Sequence, residues 1–212
     1  MTSLEKLNEE EQKVHDYAIF GHNRATIGRW LGVASVIVTG AISSLLVWLY
    51  EATNIEAFAT AIITPAIIYF VLHYCFDKFG WKIPFFSIPD ISGIWSVKGE
   101  TLNEDGSTKY NWEAEIDIEQ TWEQICITLK TAQSSSESYT ATLGKKSGTK
   151  GGWILHYSYT NNPDSNQYHE LNSHKGYCEL VFNKELNQGE AAYFNSNGRR
   201  TFGKMVVRRA LQ

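Results

Sequence analysis

The stretch YNWEAEIDIE, residues 110–119, alternates strictly between aromatic or aliphatic residues and polar, mostly acidic ones. Successive side chains of a β-strand point to opposite faces of the sheet, so a period of two predicts a strand with one packed face and one wet face. The same alternation recurs in residues 125–129 and 153–159. The C-terminal part of the chain is therefore predicted to be all-β.

On both sides of this stretch, short runs rich in Trp, Tyr, Val, Ile and Thr are separated by Gly, Asn, Ser and Pro, which favour turns. These runs predict eight strands, at residues 93–100, 110–120, 122–131, 136–143, 152–160, 174–183, 189–195 and 199–209. Eight short strands joined by hairpin turns predict a small antiparallel up-and-down β-barrel, whose interior can hold one small ligand. A β-sandwich is the alternative.

The first and last predicted strands carry a small motif. The first opens with Gly93-Ile-Trp95 and the last ends with Val206-Val-Arg208-Arg209. This pattern resembles the closure of lipocalins and fatty-acid-binding proteins, in which the arginine covers the tryptophan. The resemblance implies that Trp95 and an arginine of the last strand have a structural role.

Two apolar runs precede the β-region, at residues 30–50 and 57–76, and neither contains Asp, Glu, Lys or Arg. Because ~20 apolar residues in a helix cross a bilayer, the runs predict a transmembrane helical hairpin. Pro65 is expected to kink the second helix. The row Ser35, Thr39 and Ser43 and the row Val36, Gly40 and Ser44 serve either packing of the hairpin or contact between protomers.

The flanking charges predict the orientation. Arg24 and Arg29 precede the first run, Lys78 and Lys82 follow the second, and the linker 51–56 has no Lys or Arg. Positive charge favours the cytoplasmic side, so both termini of this multi-pass protein are expected in the cytoplasm. The predicted organisation is a cytoplasmic segment 1–29, the hairpin 30–76, a linker 77–89 and a cytoplasmic barrel 90–212. The N-terminal segment is expected to be a solvated lead-in, with a short amphipathic helix as the alternative.

Several function classes are not supported by the sequence. The net charge of −4 gives no attraction to a nucleic acid polymer. Residues 1–212 contain no phosphate-binding glycine loop, nucleophile elbow or metalloprotease motif, so we predict neither catalysis nor a catalytic residue. The three cysteines and six histidines show no metal-ligand spacing, so no metal or cofactor is predicted.

The remaining class is a ligand-binding domain. Aromatic rings are dense in the β-region, arginines are concentrated near the C-terminus, and hydroxyl and amide groups cluster near strand ends. These groups suit a planar ligand that carries phosphates, because bases stack on rings and arginine forks match phosphate oxygens. The candidate contacts are Trp122, Thr131, Tyr157, Tyr159, Asn162, His174, Arg199 and Arg200.

The layout as a whole resembles one family. The carrying features are the two spans, Ile91-Ser-Gly-Ile-Trp-Ser-Val-Lys-Gly-Glu-Thr101, Glu119-Gln-Thr-Trp122, Trp153-Ile-Leu-His-Tyr-Ser-Tyr159 with Asn162-Pro163, and His174-Lys-Gly176. They resemble the two-transmembrane β-barrel effectors of bacterial cyclic-oligonucleotide-based antiphage signalling (CBASS), which are CD-NTase-associated membrane effectors.

This resemblance implies an antiphage effector of the bacterial inner membrane. A partner cyclase makes a cyclic dinucleotide, the barrel binds it, and the protein forms a homo-oligomer that disrupts the bilayer and causes abortive infection. Two alternatives stay open. One is a membrane-tethered, lipocalin-like carrier of a small apolar ligand, favoured by an interior without positive charge. The other is a protein-interaction barrel, favoured by a fully packed interior.

Overall fold

The computed structural model describes residues 14–147, 152–163, 173–196 and 199–210. The chain divides into two compact units. One unit is the helical segment His22–Ser87, and the other combines the chain up to Gly21 with the chain from Ile88 onward.

The helical unit begins with helix α1, Arg24–Thr53. The side chain of Asn23 caps its N-terminus by accepting a hydrogen bond from the Thr26 backbone N–H at 3.2 Å. The helix ends at Asn54, which takes the left-handed conformation with φ 52°. Within the described residues, α1 is the one helix that is long and apolar enough to cross a membrane by length and composition.

The second predicted span is not one continuous helix. A short helix α2, Glu56–Thr60, is separated by a non-helical stretch from helix α3, Pro65–Lys78. Proline lacks the N–H that continues a helix, and its ring would clash with the carbonyl group four residues earlier. Pro65 therefore begins α3, and the Thr64 hydroxyl accepts a hydrogen bond from the Ile67 N–H at 3.3 Å. The prediction of one spanning helix kinked at Pro65 is wrong. Two 3-10 turns, Gly80–Lys82 and Pro84–Phe86, follow α3.

The two small-residue rows of α1 differ in exposure. Ser35 and Thr39 are the buried residues of the helix. The Ser35 hydroxyl donates to the Gly32 carbonyl and the Thr39 hydroxyl to the Ser35 carbonyl, both at 2.7 Å. Their hydroxyls therefore have acceptors within their own helix. The exposed row is Val36, Gly40 and Ser44.

Within the described residues, the second unit is a sheet of nine strands. The strands are β1 (His15–Ile19), β2 (Gly93–Leu102), β3 (Thr108–Gln120), β4 (Gln124–Lys130), β5 (Ser134–Lys145), β6 (Trp153–Pro163), β7 (His174–Phe182), β8 (Gln188–Ser196) and β9 (Phe202–Arg209). From β2 to β9 each strand pairs antiparallel with the next one, and β9 pairs back to β2. The order of hydrogen-bonded strands therefore closes into a ring.

Strand β1 makes the number of strands nine rather than the predicted eight. It lies between β4 and β5, antiparallel to β4, with His15 opposite Ile125, and parallel to β5, with Tyr17 opposite Ala141. Beyond the N-terminal side of β1, β4 and β5 pair directly with each other, residues 128–130 against residues 135–137. The expectations of a solvated lead-in or a short helix are therefore wrong for residues 15–19. The partner strands of β1 lie more than a hundred residues away in sequence, so no local pattern marks it.

The interior of the ring has a packed end and a polar end. Trp95, Ile118, Leu143, Leu155 and Phe182 fill the packed end, each with no more than 1% of its surface exposed. The rings of Trp95 and Phe182 are 4.9 Å apart between centroids. At the other end of the same strands, the inward residues are mostly hydroxyl, amide or aromatic side chains. The polar end is where the fold leaves space for a ligand.

Arg209 covers Trp95 at the packed end. The guanidinium carbon lies 5.0 Å from the indole centre, and Nη2 donates to the carbonyl groups of Asp90 at 2.9 Å and Ser92 at 2.6 Å. The Trp95 indole N–H donates to the Ile91 carbonyl at 3.0 Å. The predicted contact of arginine with tryptophan is confirmed, and it ties the last strand to the segment before β2.

Candidate functional site

A cavity of about 320 Å³ opens at the polar end of the ring. It is lined by residues of strands β2 to β9, by the β4–β5 turn and by the segment before β9. The lining residues are Thr101, Tyr110, Trp112, Glu113, Leu129, Thr131, Ala132, Gln133, Ser134, Ser136, Tyr157, Tyr159, Asn161, His174, Tyr193, Asn195, Arg199, Thr201 and Met205. Its walls are therefore mainly aromatic and neutral polar.

Trp112 and Tyr193 form one aromatic wall. Their ring centroids are 5.6 Å apart with an angle of 76° between the planes, and the Trp112 indole N–H donates to the Tyr193 hydroxyl at 3.2 Å. The same hydroxyl is 2.8 Å from the Thr101 hydroxyl. Tyr193 is 9% exposed, whereas Trp112 is only half-buried. The buried tyrosine thus fixes the position of a partly open indole ring.

Tyr157 and Tyr159 form a second aromatic wall on β6. Their centroids are 5.9 Å apart, and Tyr157 is buried while Tyr159 is half-buried. The Tyr159 hydroxyl donates to Asn195 Oδ1 at 2.8 Å, and Asn195 Nδ2 donates to the Thr201 hydroxyl at 2.8 Å. This wall is therefore linked to the segment that carries Arg199.

Three aromatic rings of the cavity each lie against a glycine on a neighbouring strand. The directly opposed pairs are Trp112 with Gly99, Tyr159 with Gly176, and Tyr193 with Gly203. A Cβ atom added at any of these glycines would overlap the opposing side chain. The absent side chains therefore let the rings lie across the neighbouring strands.

The buried phenols of the cavity, Tyr157, Tyr159 and Tyr193, stay neutral near neutral pH. Burial raises the pKa of Tyr157, Tyr159 and Tyr193 above the usual value for tyrosine. The positive charge of Arg199 lowers the pKa of both Tyr159 and Tyr193, to a smaller extent. The guanidinium charge thus acts on both aromatic walls.

Arg199 is the cation of the cavity that is suited to a phosphate. Its Nη2 donates to the Tyr110 hydroxyl at 2.8 Å, at the exposed side of the site. The remaining guanidinium donors suit an anion, because a planar fork matches two phosphate oxygens. Glu113 also lines the cavity and supplies the opposite charge.

A buried polar row crosses β5, β6 and β7 at the same level. Asn161 lies opposite Ser136 on one side and His174 on the other, and all of them line the cavity. Asn161 Nδ2 has no hydrogen-bond partner among the described residues. A buried donor without a partner costs about 1–3 kcal/mol, so this row has a donor to offer.

The structure brings several predicted contact residues together at the cavity, namely Thr131, Tyr157, Tyr159, His174 and Arg199. Trp122 is 1% exposed and does not line it. Asn162 points outward, where its Oδ1 accepts a hydrogen bond from Ser173, because neighbours along a strand face opposite sides. Arg200 is exposed and outside the lining. The inward neighbour Asn161 takes the place predicted for Asn162.

The predicted contacts omit several lining residues, chiefly Thr101, Tyr110, Trp112, Asn161, Tyr193 and Asn195. The signal for Tyr110 and Trp112 was available, since both lie on the aromatic face of the alternating stretch. What the alternation could not give is which end of each strand meets the cavity. Among the described residues, no group of three or more His, Cys, Asp or Glu side chains could hold a metal ion.

Comparison with known proteins assigns both units. Residues 86–209 match the family described as Cap15, cyclic dinucleotide receptor domain, and residues 25–82 match that described as Cap15, TM helices. The chain is also 35% identical over 209 residues to CD-NTase-associated protein 15 of Yersinia aleksiciae, covering 93% of this chain and 98% of that relative. The chain therefore belongs to the Cap15 family of CBASS membrane effectors, whose C-terminal domain is a receptor for cyclic dinucleotides.

Proposed function

We propose that the cavity at the polar end of the ring is where this protein binds its cyclic dinucleotide. The observation that carries the proposal is that Arg199 lines the same cavity as the two aromatic walls, inside the segment that matches the receptor domain. A cyclic dinucleotide has two flat bases and two phosphates. Stacking of a base on a ring is worth ~1–3 kcal/mol, and the guanidinium supplies a fork for phosphate oxygens.

The test is calorimetric titration of the full chain in detergent micelles with cyclic di-AMP, cyclic di-GMP and mixed cyclic dinucleotides. The full chain is needed because β1 precedes the helices and belongs to the sheet. We expect selective binding, and we expect Arg199→Ala to weaken it at least tenfold. Arg208→Ala, on the exposed face of β9, is the matched control.

Two outcomes of this titration would contradict the proposal. A folded wild-type protein that binds none of these nucleotides would remove the receptor function. Binding that is equally strong in wild type and in Arg199→Ala would place the nucleotide elsewhere on the protein.

Ligand binding is coupled, in our proposal, to assembly in the bacterial inner membrane. A partner cyclase supplies the nucleotide during phage infection, the effector oligomerises through its helical unit, and the disrupted membrane causes abortive infection. The exposed row on α1 supports this step, because nothing lies within 4 Å of the position of a Cβ atom on Gly40. Small residues let helices approach closely in a membrane. Binding drives assembly if the assembled state binds the ligand more tightly.

The assembly step is tested with Gly40→Leu in α1. Ligand-dependent crosslinking and dye release from liposomes are measured beside nucleotide affinity. We expect unchanged affinity with loss of crosslinking and release, whereas Ile37→Leu, an exposed and already large position, behaves as wild type. Full dye release by Gly40→Leu would contradict contact through this row.

The alternatives lack the observations that they require. An apolar carrier needs an interior without positive charge, but Arg199 lines this cavity. A protein-interaction barrel needs a fully packed interior, but the polar end is open over about 320 Å³. Both termini on the cytoplasmic side would give the receptor access to a cytoplasmic nucleotide, as the flanking charges of the spans predict.

A further inference from the structure

The two partly open rings of the cavity are built in the same way. Trp112 and Tyr159 are each half-buried, and each lies directly opposite a glycine of the neighbouring strand, Gly99 or Gly176. A methyl group on either glycine would overlap the ring. Each ring therefore packs against bare backbone on one side.

Each half-buried ring also has a buried tyrosine behind it. Tyr193 is 9% exposed and contacts Trp112 edge to face, while Tyr157 is 3% exposed and contacts Tyr159 with an angle of 46° between the planes. The Tyr193 hydroxyl also accepts a hydrogen bond from the Trp112 indole N–H. The rings are thus held in place by packing and hydrogen bonds before any ligand binds.

Polar contacts also hold Tyr159 and the tyrosine that supports Trp112. The Tyr159 hydroxyl reaches across Gly176 to Asn195 on β8, and the Tyr193 hydroxyl reaches across β9 to Thr101 on β2. A ring that is fixed before binding loses little conformational entropy when a base stacks on it. This geometry suits flat ligand groups better than flexible ones.

We propose that Trp112 and Tyr159 are two base-stacking platforms, one for each base of the cyclic dinucleotide, and that Gly99 and Gly176 are the positioning residues that orient the rings. This inference rests on the proposed function of the cavity. Arg199 is the group that faces the phosphates, since it lines the same cavity and its guanidinium is held there by the hydrogen bond to the Tyr110 hydroxyl. The site therefore recognises a ligand with two bases rather than one.

The experiment measures affinity of the full chain in detergent for the tightest-binding member of the cyclic dinucleotide panel. Trp112→Leu and Tyr159→Leu each remove one ring, and the double variant removes both. Each single variant is expected to bind about tenfold more weakly, and the two losses are expected to multiply in the double variant. Phe194→Leu removes a 52% exposed ring outside the cavity and serves as the control.

Tyr159→Phe separates stacking from hydrogen bonding, because it keeps the ring and loses the bond to Asn195. We expect it to bind more tightly than Tyr159→Leu. Trp112→Phe gives a second measurement that does not depend on the leucine variants folding: ligand binding should quench tryptophan fluorescence in wild type and much less in Trp112→Phe.

The outcomes distinguish this inference from the proposed function. If the wild-type protein binds no cyclic dinucleotide, the function itself fails. If wild type binds and either leucine variant keeps wild-type affinity, the ligand does not use two platforms. Equal quenching in wild type and Trp112→Phe would equally overturn the role of Trp112.

Discussion

Arg209→Ala should destabilise the β-domain strongly although Arg209 lies outside the cavity. The substitution removes two hydrogen bonds from a charged donor to the carbonyl groups of Asp90 and Ser92, and the contact with the Trp95 ring. Hydrogen bonds of charged groups contribute about 1.5–3 kcal/mol each, and an arginine over a ring about 0.5–2 kcal/mol. Because Arg209 is partly exposed, we take the lower values and expect a loss of about 3–4 kcal/mol.

The assay is urea unfolding of the full chain in detergent, with the circular dichroism signal of the β-sheet as the readout. A loss of this size corresponds to a fall in Tm of roughly 10 °C. Arg209→Lys keeps the charge but loses the planar fork, so it should lose an intermediate amount. Arg208→Ala is the matched control, because Arg208 is exposed and its backbone carbonyl, which accepts from Ser96, is retained.

The reasoning would be refuted if Arg209→Ala unfolded within about 0.5 kcal/mol of both wild type and Arg208→Ala, the range of ordinary surface changes. In that case Arg209 would contact the Trp95 indole without stabilising the sheet.

Three further predictions follow from the site and the sheet. Gly176→Ala should weaken cyclic dinucleotide binding in calorimetry, because the added Cβ displaces the Tyr159 ring. Gly144→Ala, where a Cβ meets its neighbours at 3.5 Å or more, should bind as wild type. Equal affinities of the two variants would contradict the role of Gly176 in positioning Tyr159. Burial raises the pKa of Cys178 from 9.0 to about 12, so the folded state keeps a proton that the unfolded state loses above pH 9. The contribution of Cys178 to the free energy of unfolding should therefore be constant below pH 9 and fall from pH 9 towards 12. The total should fall less steeply in Cys178→Ala, and an identical slope in that variant would contradict this reasoning. Tyr17→Phe should lower the free energy of unfolding in urea by about 2 kcal/mol, because the hydroxyl makes two hydrogen bonds at 3.0 and 3.1 Å to the end of β3 and the residue after it. An unchanged midpoint would show that these two hydrogen bonds do not stabilise the attachment of β1.

Local sequence patterns were sufficient for most of the strands. The alternation in residues 110–119 predicted β3, because the side chains of a strand report its two faces directly. The uncharged run from Trp30 predicted α1, and the Gly-x-Trp start with a terminal arginine predicted the contact of Arg209 with Trp95. The break at Pro65 was also a local signal, and we predicted a kink where the chain leaves the helix altogether.

The candidate site was predicted in chemistry better than in position. Aromatic, arginine and amide groups do meet at one cavity. Choosing between Asn161 and Asn162, however, requires knowing which residues face inward near the C-terminal end of β6. A shift of one residue reverses the face of every side chain in a strand. Composition therefore predicts the chemistry of the candidate site, while the register decides which residues line the cavity.

By itself, the sequence determined what depends on neighbours along the chain: strands β2 to β9, the apolar helix α1, the turns and the chemical character of the candidate site. The tertiary structure decided what depends on residues far apart in sequence. Strand β1 completes the ring between β4 and β5, and the glycines opposite Trp112 and Tyr159 let these rings lie across the wall. The physical reason is that strand pairing joins segments by backbone hydrogen bonds, which carry no side-chain signature, so only the folded register shows which residues meet.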